Sequence, residues 1–371
     1  MKIPAAVLWE TNQPWSVEDV ELDRPKQGEI LVKLAAVGLC HSDEHLVTGD
    51  LPVPLPIVGG HEGAGVVVQV GPGVQSVSEG DHVVLSFIPS CGRCPSCVDG
   101  YQNLCDSGAN MLSGLALSDG THRIHARGHD LGQMCTLGAF APYVVVHEYS
   151  AVVIDRGMPL DKASLLGCGV PTGWGSATHL GEVKAGDTVV VVGAGGIGMN
   201  AVQGARFSGA RHVVAVDPVA LKREQAEIFG ATHTAASMEE AMPLVAELTL
   251  GRMANVTILT AGVATSEMIA PLLFLTGKHG RAVVTAVAPM SQMEVSLSLV
   301  DLAMMQKHIV GGVLGGCNPR TEVPKLVSLY REGHLKLDEL VKHTYRLDQI
   351  NEAYQDMRDG RILRGLVLFD D

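Results

Sequence analysis

Asp187-Thr-Val-Val-Val-Val-Gly-Ala-Gly-Gly-Ile-Gly198 decides the fold. Its β-branched run, unbroken by polar residues beyond Thr188, reads as a parallel strand buried on both faces. The run feeds straight into G-x-G-x-x-G, and residues from Ile197 to about Ser208 read as a helix stopped by Gly209. A second strand over 212–216 ends at Asp217, about 20 residues beyond the glycines, as a dinucleotide-binding fingerprint requires. Gly193, Gly195, Gly196 and Gly198 are therefore candidate cofactor residues. Gly193 permits the tight turn, Gly195 lets a pyrophosphate approach the backbone, and Gly198 lets the helix pack on the sheet. The helix N-terminus offers unpaired N–H groups to phosphate. Asp217 would accept hydrogen bonds from the adenosine ribose and repel a 2′-phosphate, favouring NAD over NADP. A glycine-rich strand–turn–helix without ligand is the plainer alternative, and the full context argues against it.

Further strand–helix alternation follows: helix over 221–229, strand over 255–260, helix over 266–275 and strand over 281–287. This alternation predicts an α/β, doubly wound parallel sheet. The chain before about Tyr149 reads differently, with short β-branched runs such as Glu29–Leu34, Gly65–Val70 and Asp81–Leu85 broken by turn residues. Between Asp106 and Leu137 the pattern dissolves into glycine, serine and histidine, which predicts a long irregular excursion of the kind that covers a site or an interface. His122, His125 and His129 lie in it, and glycines 120 and 128 favour a solvated loop over a metal site there. After about Gly311 come helices near 323–332 and 347–358 and a final strand over 365–369.

At 371 residues, two domains are expected. A formal charge of −13 argues against nucleic acid or an anionic membrane as partner. No run of 18 apolar residues predicts a span, and Glu10 and Asn12 arrive too early for a secretory leader. Eight cysteines in such a chain point to metal or catalytic use rather than disulfides, and to the cytoplasm.

Six of the eight fall into two groups. Cys91, Cys94, Cys97 and Cys105 form C-x2-C-x2-C-x7-C, compact and all sulfur. A structural zinc closes all four positions with protein ligands of this kind. A cubane iron–sulfur cluster shares the first spacings but not the last. Cys40, His61 and Cys168 are dispersed and mixed, as in a catalytic zinc site with three protein ligands and one open position. Each has a plainer reading as a buried thiol or a satisfied histidine. Their polar, glycine-rich surroundings, Gly38-Leu-Cys-His-Ser-Asp and Gly59-Gly-His-Glu-Gly-Ala-Gly, favour the metal. Asp43 is placed to accept the second N–H of His61 and fix its tautomer. Cys135 and Cys317 are left as buried thiols.

At these residues the chain resembles the zinc-dependent medium-chain alcohol dehydrogenases. The resemblance rests on Gly60-His-Glu-Gly-Ala-Gly65, the cysteine quartet, Gly167-Cys-Gly-Val-Pro-Thr-Gly-Trp-Gly-Ser-Ala177 and the glycine fingerprint with Asp217. Within the family, Trp9–Glu18, His45–Pro52 and Phe87–Gly92 resemble the actinobacterial nicotinoprotein, nitrosodimethylaniline-dependent branch. The resemblance implies a dinucleotide (Rossmann) domain over 170–310 inserted into a β-rich, GroES-like catalytic domain made of 1–169 and 311–371. It implies two zinc ions per subunit, NAD, an alcohol or aldehyde substrate, and a homo-oligomer.

Residue by residue, it implies Cys40, His61 and Cys168 as catalytic zinc ligands, and Glu62 as an acid that approaches the metal when ligands exchange. Ser42 would take the substrate proton and His45 would stand at the outer end of the relay. Thr172 and Val287 would lie against the nicotinamide, Lys222 by the adenosine ribose, and Arg364 on the pyrophosphate. Leu51 and Phe87 would line the substrate pocket. His41 departs from the arginine that many members use on the pyrophosphate, so a permanently held cofactor would be retained by other elements and an external acceptor would recycle it. Two other readings stand beside this one. One is glutathione-dependent formaldehyde oxidation, for which Arg123 or Arg127 would supply cations, although an exposed basic loop fits them better. The other is a non-enzymatic redox sensor using zinc cysteines.

Overall fold

The structure is a computed structural model and describes residues 1–369. The chain divides into two compact units: Met1–Cys168 with the segment from Asn318 onward, and Gly169–Cys317 between them.

The inserted unit is built on the quoted strand. Thr188–Val192 is buried throughout and sits at the centre of six parallel strands. The order is His233–Ala235, His212–Val216, Thr188–Val192, Ala254–Leu259, Thr276–Val284 and His308–Gly311. The order reverses at the first strand, which creates the crevice where such sheets bind dinucleotides. Helices Gly196–Phe207, Ala220–Ile228, Met238–Leu248 and Ser266–Leu275 supply the crossovers. The expected strand over 281–287 is longer and earlier, Thr276–Val284. Residues 311–317 pack inside this unit: a side chain on Gly175 would collide with Cys317 Sγ and the Gly315 carbonyl, both at 2.4 Å.

The other unit has two β-layers. Lys2–Leu8, Ser16–Leu22, Ile124–Ala126, His129–Gln133 and Ile57–Val58 close a small barrel. Beside it runs a sheet ordered Ala151–Ile154, His82–Leu85, Gly63–Val70, Glu29–Gly38, Arg364–Leu368 and Val341–Tyr345, with Tyr143–His147 also on Glu29–Gly38. The C-terminal strand is thus inserted deep in this sheet, against residues 36–38. The apolar faces of both layers meet around Trp15, Ile30, Leu34, Leu85, Phe140 and Tyr354.

Two expectations are corrected here. The 106–137 segment is not a structureless excursion, because its Ile124–Ala126 and His129–Gln133 strands form a hairpin in the barrel wall. Alternation was hidden by the histidines, which lie outward and are tied locally: His125 to Asp23 and Asp130, His122 to the Leu131 carbonyl. Nor is Arg123 part of an exposed basic loop. It is fully buried and forked onto Glu29, Nε to Oε2 at 2.9 Å and Nη2 to Oε1 at 2.8 Å. Arg127 is exposed, stacked over Trp9 and paired with Glu18.

Candidate active site

Cys40 ends the turn after strand Glu29–Gly38 and caps helix His41–Thr48. Asp43, in the first turn of that helix, is fully buried and takes a backbone N–H from Cys40 at 3.3 Å on Oδ2. Its Oδ1 accepts the Gly60 N–H at 3.0 Å and faces His61 Nδ1 at 3.2 Å. One carboxylate therefore closes the helix start and fixes the imidazole. His61 Nε2 points the other way, buried and without a hydrogen-bond partner. One atom each from Cys40, His61, Glu62 and Cys168 lies within 4.8 Å of the others, and all four residues are buried.

A buried nitrogen left bare between two thiols is expensive unless a cation takes its lone pair. The electrostatics agree. Burial alone would lower the His61 imidazole, but the Asp43 carboxylate and the Cys40 sulfur raise it well above the usual range. The hydrogen bond between Cys40 and Cys168 holds the first thiol well below its ordinary value and pushes the second well above. This group is organised to exchange protons for a metal. Two thiolates and one imidazole fit zinc with a coordination position to spare. Glu62 stands behind them: burial pushes its carboxyl up to about 7, against the pull of Arg364 at 3.2 Å.

Ser42 Oγ lies 3.7 Å from Cys40 Sγ. His45 is buried with Nδ1 3.3 Å from Asp50. The Phe87 ring meets His61 edge-on at 5.8 Å, and Leu51 and Phe87 are both half-buried against the core. His41 opens the helix and is half-exposed. Arg364 is buried, with Nη1 2.6 Å from the Leu39 carbonyl.

In the second cysteine group the sulfurs stand 3.9 Å apart for Cys94 and Cys105 and 4.0 Å for Cys91 and Cys97. That is far beyond a disulfide and close to the edge of a tetrahedron with about 2.3 Å metal–sulfur bonds. Backbone N–H groups of Cys91, Cys94, Cys97 and Asp106 point at these sulfurs at 3.4–3.5 Å, which favours thiolates. Although burial opposes it, such bonds from Arg93 and Cys94 bring Cys91 down to about 6. The donor set fits a closed structural zinc.

In the inserted unit the glycine loop and Asp217 come together. Gly193 has φ +96°, and a side chain on Gly198 would sit 1.8 Å from the Gly193 carbonyl. A side chain on Gly195 would meet nothing within 4 Å, so that face of the loop is open for a phosphate. Asp217 accepts the Ala194 N–H and the Val219 N–H, each at 2.9 Å. Lys222 is half-buried on the following helix, and Gly196 opens the glycine helix. Thr172 is buried in helix Gly169–Gly175 with an unpartnered hydroxyl, and Val287 is 40% exposed. Arg223 was not anticipated: it donates to the Asp217 and Pro218 carbonyls, and its position two turns' reach beyond the acid was the available signal.

Comparison with known proteins agrees with this geometry. Residues 26–156 match the alcohol dehydrogenase GroES-like domain, and residues 196–332 match the zinc-binding dehydrogenase domain. The chain is 49% identical to alcohol dehydrogenase B of Mycobacterium tuberculosis, across 100% of this chain and 99% of that protein. It is 50% identical to the NDMA-dependent alcohol dehydrogenase of Amycolatopsis methanolica, across 99% of both. Among solved structures, benzyl alcohol dehydrogenase from Acinetobacter calcoaceticus superposes with a TM-score of 0.92 at 31% identity, over 100% of both chains. An alcohol dehydrogenase zinc-binding domain protein from Burkholderia ambifaria gives 0.93 at 33%, also over 100% of both. The chain belongs to the zinc-dependent medium-chain alcohol dehydrogenase family. It is an oxidoreductase acting on alcohols, with zinc and a nicotinamide dinucleotide as its cofactors.

Proposed function

We propose that this enzyme interconverts alcohols and aldehydes using an NAD that stays bound and is recycled by an external acceptor. The observation that carries the chemistry is the bare, buried His61 Nε2 among Cys40, Cys168 and Glu62. Cys40, His61 and Cys168 would hold the catalytic zinc, and Cys91, Cys94, Cys97 and Cys105 the structural one. When bound, the catalytic metal acidifies the substrate hydroxyl and NAD accepts a hydride from its carbon. The chain's own residues do the rest. Asp43 fixes His61 in the tautomer that presents Nε2. Ser42 takes the alcohol proton and hands it outward toward His45, which Asp50 orients. Leu51 and Phe87 exclude water and so strengthen every charge in the site. Thr172, Val287, Lys222, His41 and Arg364 would contact the dinucleotide together with the glycine loop.

Retention of NAD rests on the 50% identity to a protein named NDMA-dependent. Its test is to denature the purified enzyme and assay the supernatant for nicotinamide nucleotide. About one NAD(H) per chain is expected, together with alcohol turnover when nitrosodimethylaniline is the only added acceptor. An empty protein that needs added NAD would overturn retention, and no alcohol turnover in either assay would overturn the whole reading.

NAD preference follows from Asp217. Its carboxylate is held at the glycine loop by two backbone N–H groups, where a 2′-phosphate would meet like charge at a cost of several kcal/mol. Asp217→Asn keeps an acceptor and removes the charge. On nucleotide-stripped protein, the ratio of NADP to NAD affinity should rise about tenfold or more. An unchanged ratio would remove Asp217 as the discriminator.

A homo-oligomer in the cytoplasm completes the proposal. Edge strand His308–Gly311 has one neighbour in the sheet, and helix Leu299–Met304 buries no residue while Leu299, Val300 and Met304 are 73–75% exposed. An open edge beside bare apolar side chains suits a second copy. No helix among the described residues is long and apolar enough to cross a membrane.

A further inference from the structure

We propose that Tyr354 is a positioning residue for the catalytic metal site, acting through Asp43; the inference rests on the reading of Cys40, His61 and Cys168 as the ligands. Tyr354 lies in helix Ile350–Arg358, more than 300 positions along the chain from the ligand loop it meets, and is 1% exposed. Burying a phenol costs free energy unless its hydroxyl finds a partner. Here the hydroxyl stands 3.5 Å from the carbonyl of Cys40 and is also hydrogen-bonded to the Asp43 carboxylate. Asp43, with no exposed surface, thus collects four donors: the backbone N–H groups of Cys40 and Gly60, His61 Nδ1, and the tyrosine.

The ring itself is fixed from two sides. Trp15 lies 6.4 Å away at a 31° tilt, and Phe140 lies 6.2 Å away at 68°. The same two aromatics press on the ligand loop, since side chains on Gly59 and Gly60 would collide with Trp15 and Phe140 at 2.4 Å and 2.6 Å. The aromatic cluster therefore supports the His61 loop from below, and the tyrosine hydroxyl is its one polar contact reaching the carboxylate that orients the ligand. Partners of metal-bound histidine tune both the position and the basicity of the imidazole. A hydroxyl donated to Asp43 does so one bond further out. It draws charge from the carboxylate and keeps its two oxygens aimed at His61 and Cys40.

The test is Tyr354→Phe, which keeps the ring between Trp15 and Phe140 and removes only the hydroxyl. Purified enzyme is challenged with a chelator, and release of each zinc is followed by elemental analysis over time. The catalytic zinc should leave about tenfold faster than from the parent enzyme, the lower end of what changes around metal-bound histidines cost. Release from the cysteine quartet should not change. Turnover should fall with kcat rather than KM. Combining Tyr354→Phe with Asp43→Ala separates positioning from simple packing: release from the double variant should match Asp43→Ala alone. Release at the parental rate from Tyr354→Phe overturns the inference, and so does an equal effect in the Asp43→Ala background. A parent enzyme that holds only one zinc overturns the metal reading beneath it, so the two failures are distinguishable.

Discussion

His61→Ala lowers alcohol turnover by about a thousandfold or more, because a Lewis acid at the reacting oxygen supplies several kcal/mol of transition-state stabilisation. Metal content falls from two zinc ions per chain to one. The surviving ion belongs to the cysteine quartet, whose four sulfurs share no residue with the His61 group. The fold persists: Asp43 keeps its bonds from the Cys40 and Gly60 N–H groups and from Tyr354, so its buried charge is not stranded. Elemental analysis, circular dichroism and a kinetic assay check all three points. Retained turnover, or two zinc ions still bound, would remove the catalytic metal from this account.

Arg123→Ala destabilises the barrel-bearing unit by about 3 kcal/mol, near the lower end for breaking a buried ion pair by removing one partner. The reason is geometric. Glu29 is 1% exposed and receives a two-pronged bond from Arg123; the deletion leaves it with the Lys26 N–H and the Ser118 hydroxyl. Those remaining donors are why the lower end is expected. For a unit of this size the melting temperature should drop by about 6–12 °C. Replacing both residues by methionine should recover most of the loss, since an apolar pair of similar volume leaves no charge unpaired. A melting temperature within a degree of the parent for Arg123→Ala would show that Glu29 is already satisfied.

The dinucleotide unit was legible because its signals are local. Continuous burial makes 188–192 an unbroken apolar strand, and the turn that follows can only be made with glycine at Gly193 and Gly198. The cysteine quartet was legible for the same reason, since its ligands lie within fifteen positions of one another. What could not be read were partnerships across long separations. Tyr354 reaches Asp43 and Arg123 reaches Glu29, and nothing near any of the four in sequence marks the pairing. Arg123 misled in a specific way: flanked by His122 and His125, it looked like a solvated basic stretch, whereas a charge-paired arginine suits a barrel interior. The short helix Gly169–Gly175 was also hidden, because three glycines and a proline in seven residues carry low helix propensity. Tertiary packing overrides that cost.

The place of strand Arg364–Leu368 has a consequence for biosynthesis. Residues 36–38 leave the ribosome early and must wait for residues 366–368 before their hydrogen bonds close. The inserted nucleotide unit emerges complete in the meantime, and nascent domains fold as units while translation proceeds. Vectorial synthesis therefore imposes an order in which the nucleotide fold matures first, while the edge at 36–38 stays open to wrong partners. The same late strand delivers the Arg364 guanidinium to the Leu39 carbonyl and to Glu62. Completion of the metal pocket is thereby tied to the arrival of this strand, and a stalled polypeptide lacking it would carry the ligand residues without their finished frame.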